Sequence, residues 1–144
     1  MDIIFDIDGT LADVSHRRHF VATKPKDWVS FQKLAHLDGC HEPIAVLARS
    51  LPLLAHRVIL CSGHGEQERP VTEAWLEKHQ IPYSALYMRT EKDYRSDEVI
   101  KAELLARIRA EGYNPKLAFD DRDRVVAMWR ANGVVCAQVA EGNF

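Results

Sequence analysis

Ile3-Ile4-Phe5-Asp6-Ile7-Asp8-Gly9-Thr10 decides how this chain reads, because an apolar run closes in two aspartates and a glycine. A strand buried on both faces gives an unbroken apolar run, and a polar closure marks where it emerges from the sheet. A second closure of the same kind is Leu117-Ala118-Phe119-Asp120-Asp121, far along the chain. Charges about 4 Å apart repel by roughly 4 kcal/mol at an effective dielectric near 20, so carboxylates gathered at neighbouring strand ends require a cation or a shared proton. The four aspartates therefore outline a metal-dependent phosphate site. Asp120 is the expected late ligand, and Asp121 either supports it or caps a helix starting at Arg122.

Working outward, apolar runs at residues 2–7, 57–61, 85–88, 116–119 and 134–139 read as short buried strands. Helical patterns lie between most of them: from Glu42-Pro43 to about His56, from Glu66 to His79 after a Gly63-His64-Gly65 turn, from an Ser96 N-cap to about Ala110, and over residues 122–131. Alternating strands and helices predict an α/β fold, a doubly wound, mostly parallel sheet. Residues 11–41 break the rhythm and are expected to form a small cap insertion over the site, within one domain spanning 1–144. In such sheets ligands sit beyond the carboxyl ends of the strands, where both acidic pairs fall.

A length of 144 residues with 47% hydrophobic content suits one domain burying roughly two-thirds of its unfolded surface. No uncharged apolar stretch approaches the ~20 residues that cross a bilayer, and no basic leader opens the chain, so a soluble, cytoplasmic protein is expected. Cys40, Cys61 and Cys136 are odd in number and widely spaced, which predicts reduced thiols. A net charge of −2 argues against coating long nucleic acid but not against recognising a strand end.

Phosphate-monoester hydrolysis needs a nucleophile, a proton donor for the leaving oxygen and positive charge for the phosphoryl group. Asp6 fits the first role through an acyl phosphate, and Asp8 the second as general acid and base. Ser62-Gly63, closing the run Val58-Ile59-Leu60-Cys61, suits a phosphate oxygen held by a hydroxyl and backbone N–H groups. At 100° per residue Asp97, Lys101, Leu104 and Ile108 share one stripe, so Lys101 is expected to face the sheet and reach the phosphate, held by Asp97.

Asp6-Ile7-Asp8-Gly9-Thr10, Ser62, Lys101 and Asp120-Asp121 resemble, in order, the four motifs of the haloacid dehalogenase superfamily. The resemblance implies that the first aspartate is the nucleophile, the second the general acid and base, and that Mg²⁺ binds the Asp6 side chain, the Asp8 main-chain carbonyl and Asp120. Ala118-Phe119-Asp120-Asp121-Arg122, Val125-Val126-Ala127-Met128-Trp129-Arg130 and Gln138-Val139-Ala140-Glu141-Gly142-Asn143-Phe144 further resemble the 3′-phosphatase domain of bacteriophage polynucleotide kinase. That likeness implies functional arginines at Arg17 and Arg89, a third motif at Asp97 and Lys101, and nucleic-acid 3′-phosphate ends or 3′-nucleotides as substrate. No G-x-x-x-x-G-K-[ST] phosphate loop occurs, so no 5′-kinase activity is expected of this chain, and the resemblance leaves a separate kinase or ligase as a candidate partner. His64 stands where the motif has an arginine, as a phosphate contact or a plain loop residue. Two other readings compete: a phosphatase of a small metabolite, and a phospho-accepting signalling module. The order of the motifs disfavours the second.

Overall fold

The opening run becomes β1 (Asp2–Phe5), the middle strand of a five-stranded sheet in the computed structural model, which describes residues Met1–Phe144. Along the chain follow β2 (Ala12–Asp13), α1 (His19–Ala22), α2 (Trp28–Lys33), β3 (Gly39–Cys40), α3 (Glu42–Ser50), β4 (Arg57–Gly65) and α4 (Arg69–Lys78). Then come β5 (Ala85–Arg89), α5 (Asp97–Ala110), β6 (Pro115–Asp120), α6 (Asp123–Ala131) and β7 (Val135–Gln138). The sheet order is β5-β4-β1-β6-β7 and every pairing in it is parallel. The chain leaves β1 toward β4 and β5, then returns to β1's other side for β6 and β7, which puts the topological switch beside β1.

Alternation along the strands sorts the core into two layers. Ile3, Phe5, Val58, Leu60, Leu86 and Met88 face α3 and α4, packing on Ala45, Ala48, Trp75 and Leu76. Ile4, Ile59, Cys61, Tyr87 and Ala118 face α5 and α6, meeting Ile100, Leu104, Ile108, Val125, Val126 and Trp129. A sheet buried on both sides explains the unbroken apolar runs. At its amino-terminal edge Asp2 accepts from Arg57 at 2.6 and 2.8 Å and from the Asn114 N–H at 2.6 Å, joining the beginnings of β1, β4 and β6.

Where the structure differs from the sequence reading, backbone chemistry gives the reason. The helix expected to reach His56 stops at Ser50, and a 3₁₀ turn over Leu51–Leu54 carries Pro52, which has no N–H to continue an α-helix. Glu66–Glu68 is likewise 3₁₀, with Pro70 inside the first turn of α4. Gly63-His64-Gly65 is not a free turn: β4 runs through it, with its register against β5 shifting between Ser62 and Gly65. Ser96 sits at the N-cap of α5, but its side chain makes no capping hydrogen bond. Residues 11–41 fold as short helical turns and the antiparallel pair β2 and β3. No helix is long and apolar enough to cross a membrane.

Candidate active site

β1, β4 and β6 lie side by side, so their carboxyl ends deliver Asp6, Ser62 and Asp120 to one place. After Asp6, held by its N–H on the Phe119 carbonyl at 3.0 Å, the chain coils tightly, with the N–H groups of Thr10, Leu11 and Ala12 all on the Ile7 carbonyl. Gly9 makes that coil possible with φ of +83°, and a Cβ there would run into the Asp121 carboxylate. The loop's glycine thus leaves room for the second acidic pair.

Asp6, Asp120 and Asp121 each place a carboxylate oxygen within 4.8 Å of the others, and all three are buried. Lys101 enters from α5, 1% exposed, and donates to Asp6 Oδ1 at 2.7 Å and Asp120 Oδ2 at 2.9 Å. Asp120 also accepts from the indole of Trp129 at 3.1 Å and the Arg122 N–H at 3.2 Å. Asp121 Oδ2 is buried without any hydrogen-bond partner, a costly state for a carboxylate unless something else meets it. It does not cap α6, whose N-cap is Arg122 and carries no side-chain cap bond.

Burial pushes the Asp6 carboxyl well above the usual carboxylate range, and its acidic neighbours add to this, although Lys101 opposes them. Burial and Asp120 raise Asp121 to about 6. Burial would discharge Lys101, but Asp120, Asp6 and Asp97 more than offset it and keep the ammonium charged. Three hard oxygen donors around one cation, with one oxygen orphaned, fit a divalent metal of the magnesium kind.

Asp8 faces elsewhere. Its Oδ2 lies 2.5 Å from His64 Nε2 and its Oδ1 accepts from Arg17 at 2.9 Å. Burial favours the neutral acid, yet His64 and then Arg17 outweigh it and hold Asp8 at about 2. The side chain of Asp8 therefore stands outside the acidic cluster that Asp121 completes. Lys101 lies closer to Asp6 and Asp120 than to Asp97, which is 3.7 Å away.

The arginines expected to meet substrate are engaged by protein. Arg17, fully buried, forks onto Asp38 at 2.7 and 2.5 Å, donates to the Phe31 carbonyl at 3.2 Å and stacks on the Phe31 ring. Arg89 donates to the carbonyls of Gly63, Asp93 and Arg95 and to Asp97 Oδ1. It braces the Ser62-Gly63 loop against α5, where a Cβ on Gly63 would strike Asp97. Ser62 Oγ accepts the His64 N–H at 3.1 Å. Asp38 and the indole N–H of Trp129 were not legible as site groups; the first sits in a polar loop, and the second belongs to an apolar helix face.

A family model described as the polynucleotide kinase PNKP phosphatase domain matches residues 1–144. The chain belongs to this family. The phosphatase domain is 35% identical, over 99% of its length, to a chain in the structure of a Pnkp1/Rnl/Hen1 complex, with a TM-score of 0.85. It is 29% identical over 134 residues to a protein of Autographa californica nuclear polyhedrosis virus provisionally named a bifunctional polynucleotide kinase/RNA ligase. A hydrolase from Streptococcus pneumoniae shares the fold at a TM-score of 0.68 and 15% identity. The phosphatase domain spans 47% of the complex's chain and 17% of the viral protein. Fold and family together make this chain a phosphatase of the haloacid dehalogenase type, with the mostly parallel sheet the motifs implied.

Proposed function

We propose that this phosphatase is Mg²⁺-dependent and removes 3′-phosphates from polynucleotide ends or 3′-nucleotides through an aspartyl phosphate on Asp6. The observation that carries the reading is the convergence of Asp6, Asp120, Asp121 and Lys101 at adjacent strand ends in a chain matched throughout by the polynucleotide kinase phosphatase family. Asp6, Asp120 and Asp121 would hold the metal, which when bound offsets charge between the anionic substrate and the carboxylates.

An Asp6 oxygen attacks phosphorus as the bond to the 3′-oxygen breaks. Asp8 gives that oxygen its proton, and because the resting Asp8 is a carboxylate, that proton would come through His64, 2.5 Å away, whose pKa burial lowers but the Asp8 charge and hydrogen bond raise above its usual value. Water, deprotonated by Asp8, then attacks the acyl phosphate, restoring Asp6 and releasing inorganic phosphate. Lys101 stays charged beside Asp6 and faces the phosphoryl oxygens as charge develops. Arg17 and His64 orient Asp8, and residues 11–41, which supply Arg17 and Asp38, act as the cap. The product is a 3′-hydroxyl end, the group strand joining needs, so a separate kinase or ligase is the expected partner, as the names of the relatives also support.

Phosphate release from a 3′-phosphorylated oligonucleotide, with Mg²⁺ and with EDTA, tests this. Turnover should require the metal and vanish in Asp6→Asn. Faster turnover of sugar phosphates than of any oligonucleotide would move the substrate to the small-metabolite class.

A further inference from the structure

Two arginines at the mouth of the acidic cluster have no part in the chemistry above. Arg18 Nη2 lies 3.8 Å from Asp121 Oδ2, and Arg122 Nη1 lies 3.8 Å from Asp97 Oδ2. These are loose contacts that leave most guanidinium donors open. Both guanidinium groups lie against one ring, Phe144, at 4.8 and 5.2 Å from its centre, and Arg122 Nε donates to the Phe144 carbonyl at 2.8 Å. The ring fixes two planar forks at the edge of the site, which lowers the entropy cost of engaging an anion.

Further cations continue the rim. Beside the buried Arg17, residues 14–26 bring Arg18, Lys24 and Lys26 to the surface and contain no carboxylate, in a chain whose net charge is −2. Lys26 Nζ sits 5.6 Å from the centre of the Trp28 ring, which is exposed. Partial burial lowers the Lys26 pKa, and the charges of Arg122, Lys24 and Arg124 lower it further, so Lys26 lies within electrostatic reach of all three. The carboxylates next to Lys26 and Arg124 in sequence are turned to their own surroundings: Asp27 accepts the Ser30 N–H at 2.9 Å, and Asp123 accepts from Gln138 at 2.6 Å. A basic stripe with an exposed aromatic beside it matches what a single strand presents, phosphates in a row and bases with open faces.

We propose that Arg18 and Arg122, aligned by Phe144, together with Lys24, Lys26 and Arg124, bind the phosphodiester backbone of the single strand that carries the terminal phosphate, with Trp28 stacking on one of its bases. The inference rests on the polynucleotide reading above and extends it: the rim makes the enzyme prefer a chain to a 3′-mononucleotide, which has no phosphodiester to offer. Guanidinium forks suit phosphate oxygens, and a few cations suffice for a strand end even though the whole chain is acidic.

The test compares kcat/KM for 3′-phosphorylated oligonucleotides, a 3′-mononucleotide and p-nitrophenyl phosphate across NaCl concentrations, with DNA and RNA strands of one sequence as separate arms. The wild-type protein should favour the oligonucleotide by about tenfold or more, with log(kcat/KM) falling by roughly 0.7 per phosphate contact for each unit of log[salt]. Combining Lys24→Ala, Lys26→Ala and Arg124→Ala should flatten that slope by about 2 and lower the oligonucleotide-to-aryl-phosphate ratio. Lys26→Glu should lower the ratio further, and Trp28→Ala should lower it about tenfold with the slope retained. An effect on either strand type supports the rim and identifies the sugar it tolerates. Equal losses on all three substrates, or an unchanged salt slope, overturn the rim while leaving the polynucleotide reading intact. A wild-type protein that ignores every oligonucleotide overturns both.

Discussion

Replacing Asp6 by Asn should abolish turnover and yet leave the metal-free protein as stable as before, or slightly more so. The Asp6 carboxylate is attracted by Lys101 at 2.7 Å, which at an effective dielectric near 20 amounts to about 6 kcal/mol. It is also repelled by Asp120 and Asp121, whose oxygens lie within 4.8 Å, by at least ~3.5 kcal/mol each on the same scale. The attraction and the two repulsions nearly cancel, and taking the charge out of water then tips the balance against the ionised group. Asn keeps the volume and a hydrogen-bond acceptor for Lys101, which retains Asp120 at 2.9 Å. Thermal melts in EDTA should show Tm unchanged or raised by up to ~4 °C, about 1 kcal/mol for a domain of this size. With Mg²⁺ the order should reverse, since a ligand at 100 times its Kd adds about 2.7 kcal/mol to the protein that binds it. Phosphate release should fall by on the order of 10⁴-fold or more. A loss of more than ~2 kcal/mol in EDTA would refute the charge argument, and retained turnover would remove Asp6 as the nucleophile.

Asp121→Asn should weaken metal binding more than it weakens folding, because Asp121 Oδ2 has no hydrogen bond to lose, only the loose Arg18 contact at 3.8 Å; the Mg²⁺ concentration giving half-maximal activity should rise at least tenfold, and an unchanged value would take Asp121 out of the metal set. Asp2→Asn should cost about 1–2 kcal/mol at pH 7, discounted because Arg57 is half exposed. Burial opposes it, but Arg57 and the Asn114 N–H hold the Asp2 carboxyl below its usual range. A lowered folded-state pKa stabilises above the unfolded value near 4 and is lost as pH falls through the folded one, so urea melts of the two proteins should converge in that acid window and not at alkaline pH. Asp38→Asn should lower kcat more than it raises KM, because it loosens the fork that aims Arg17 at Asp8; a pure KM effect would instead assign Arg17 to substrate binding.

The sheet was legible because a strand buried on both faces writes itself as an apolar run, and Ile3, Ile4 and Phe5 alternate between two cores without a polar interruption. Lys101 was legible by helical phase, since Ile100, Leu104 and Ile108 fix which side of α5 is inside. What phase could not give is the partner. The stripe places Lys101 near Asp97, one turn away, but its closest carboxylates, Asp6 and Asp120, lie 95 and 19 residues distant. His64 was ambiguous for a similar reason, because a glycine on each side reads as a turn, whereas β4 continues through it and carries the imidazole to Asp8. Residues 11–41 were illegible in detail: their short turns are set by Arg17, Asp38 and Phe31 meeting in space, a contact with no period in sequence.

Charge ordering from the floor of the site to its rim ties these pieces together. Three carboxylates and one ammonium at the floor leave an excess of two negative charges if all are ionised. That excess suits a dication and would repel a phosphate approaching alone. Asp8 is already paired with Arg17 and His64, so it adds little to the repulsion. Apart from the Lys101 ammonium, the cations free to meet the substrate's own charge are thus at the rim, where Arg18 and Arg122 stand beside Asp121 and Asp97. An anion entering past them loses part of its repulsion before it reaches the carboxylates, and a longer anion, with a charge on every nucleotide, gains more from that passage than a short one.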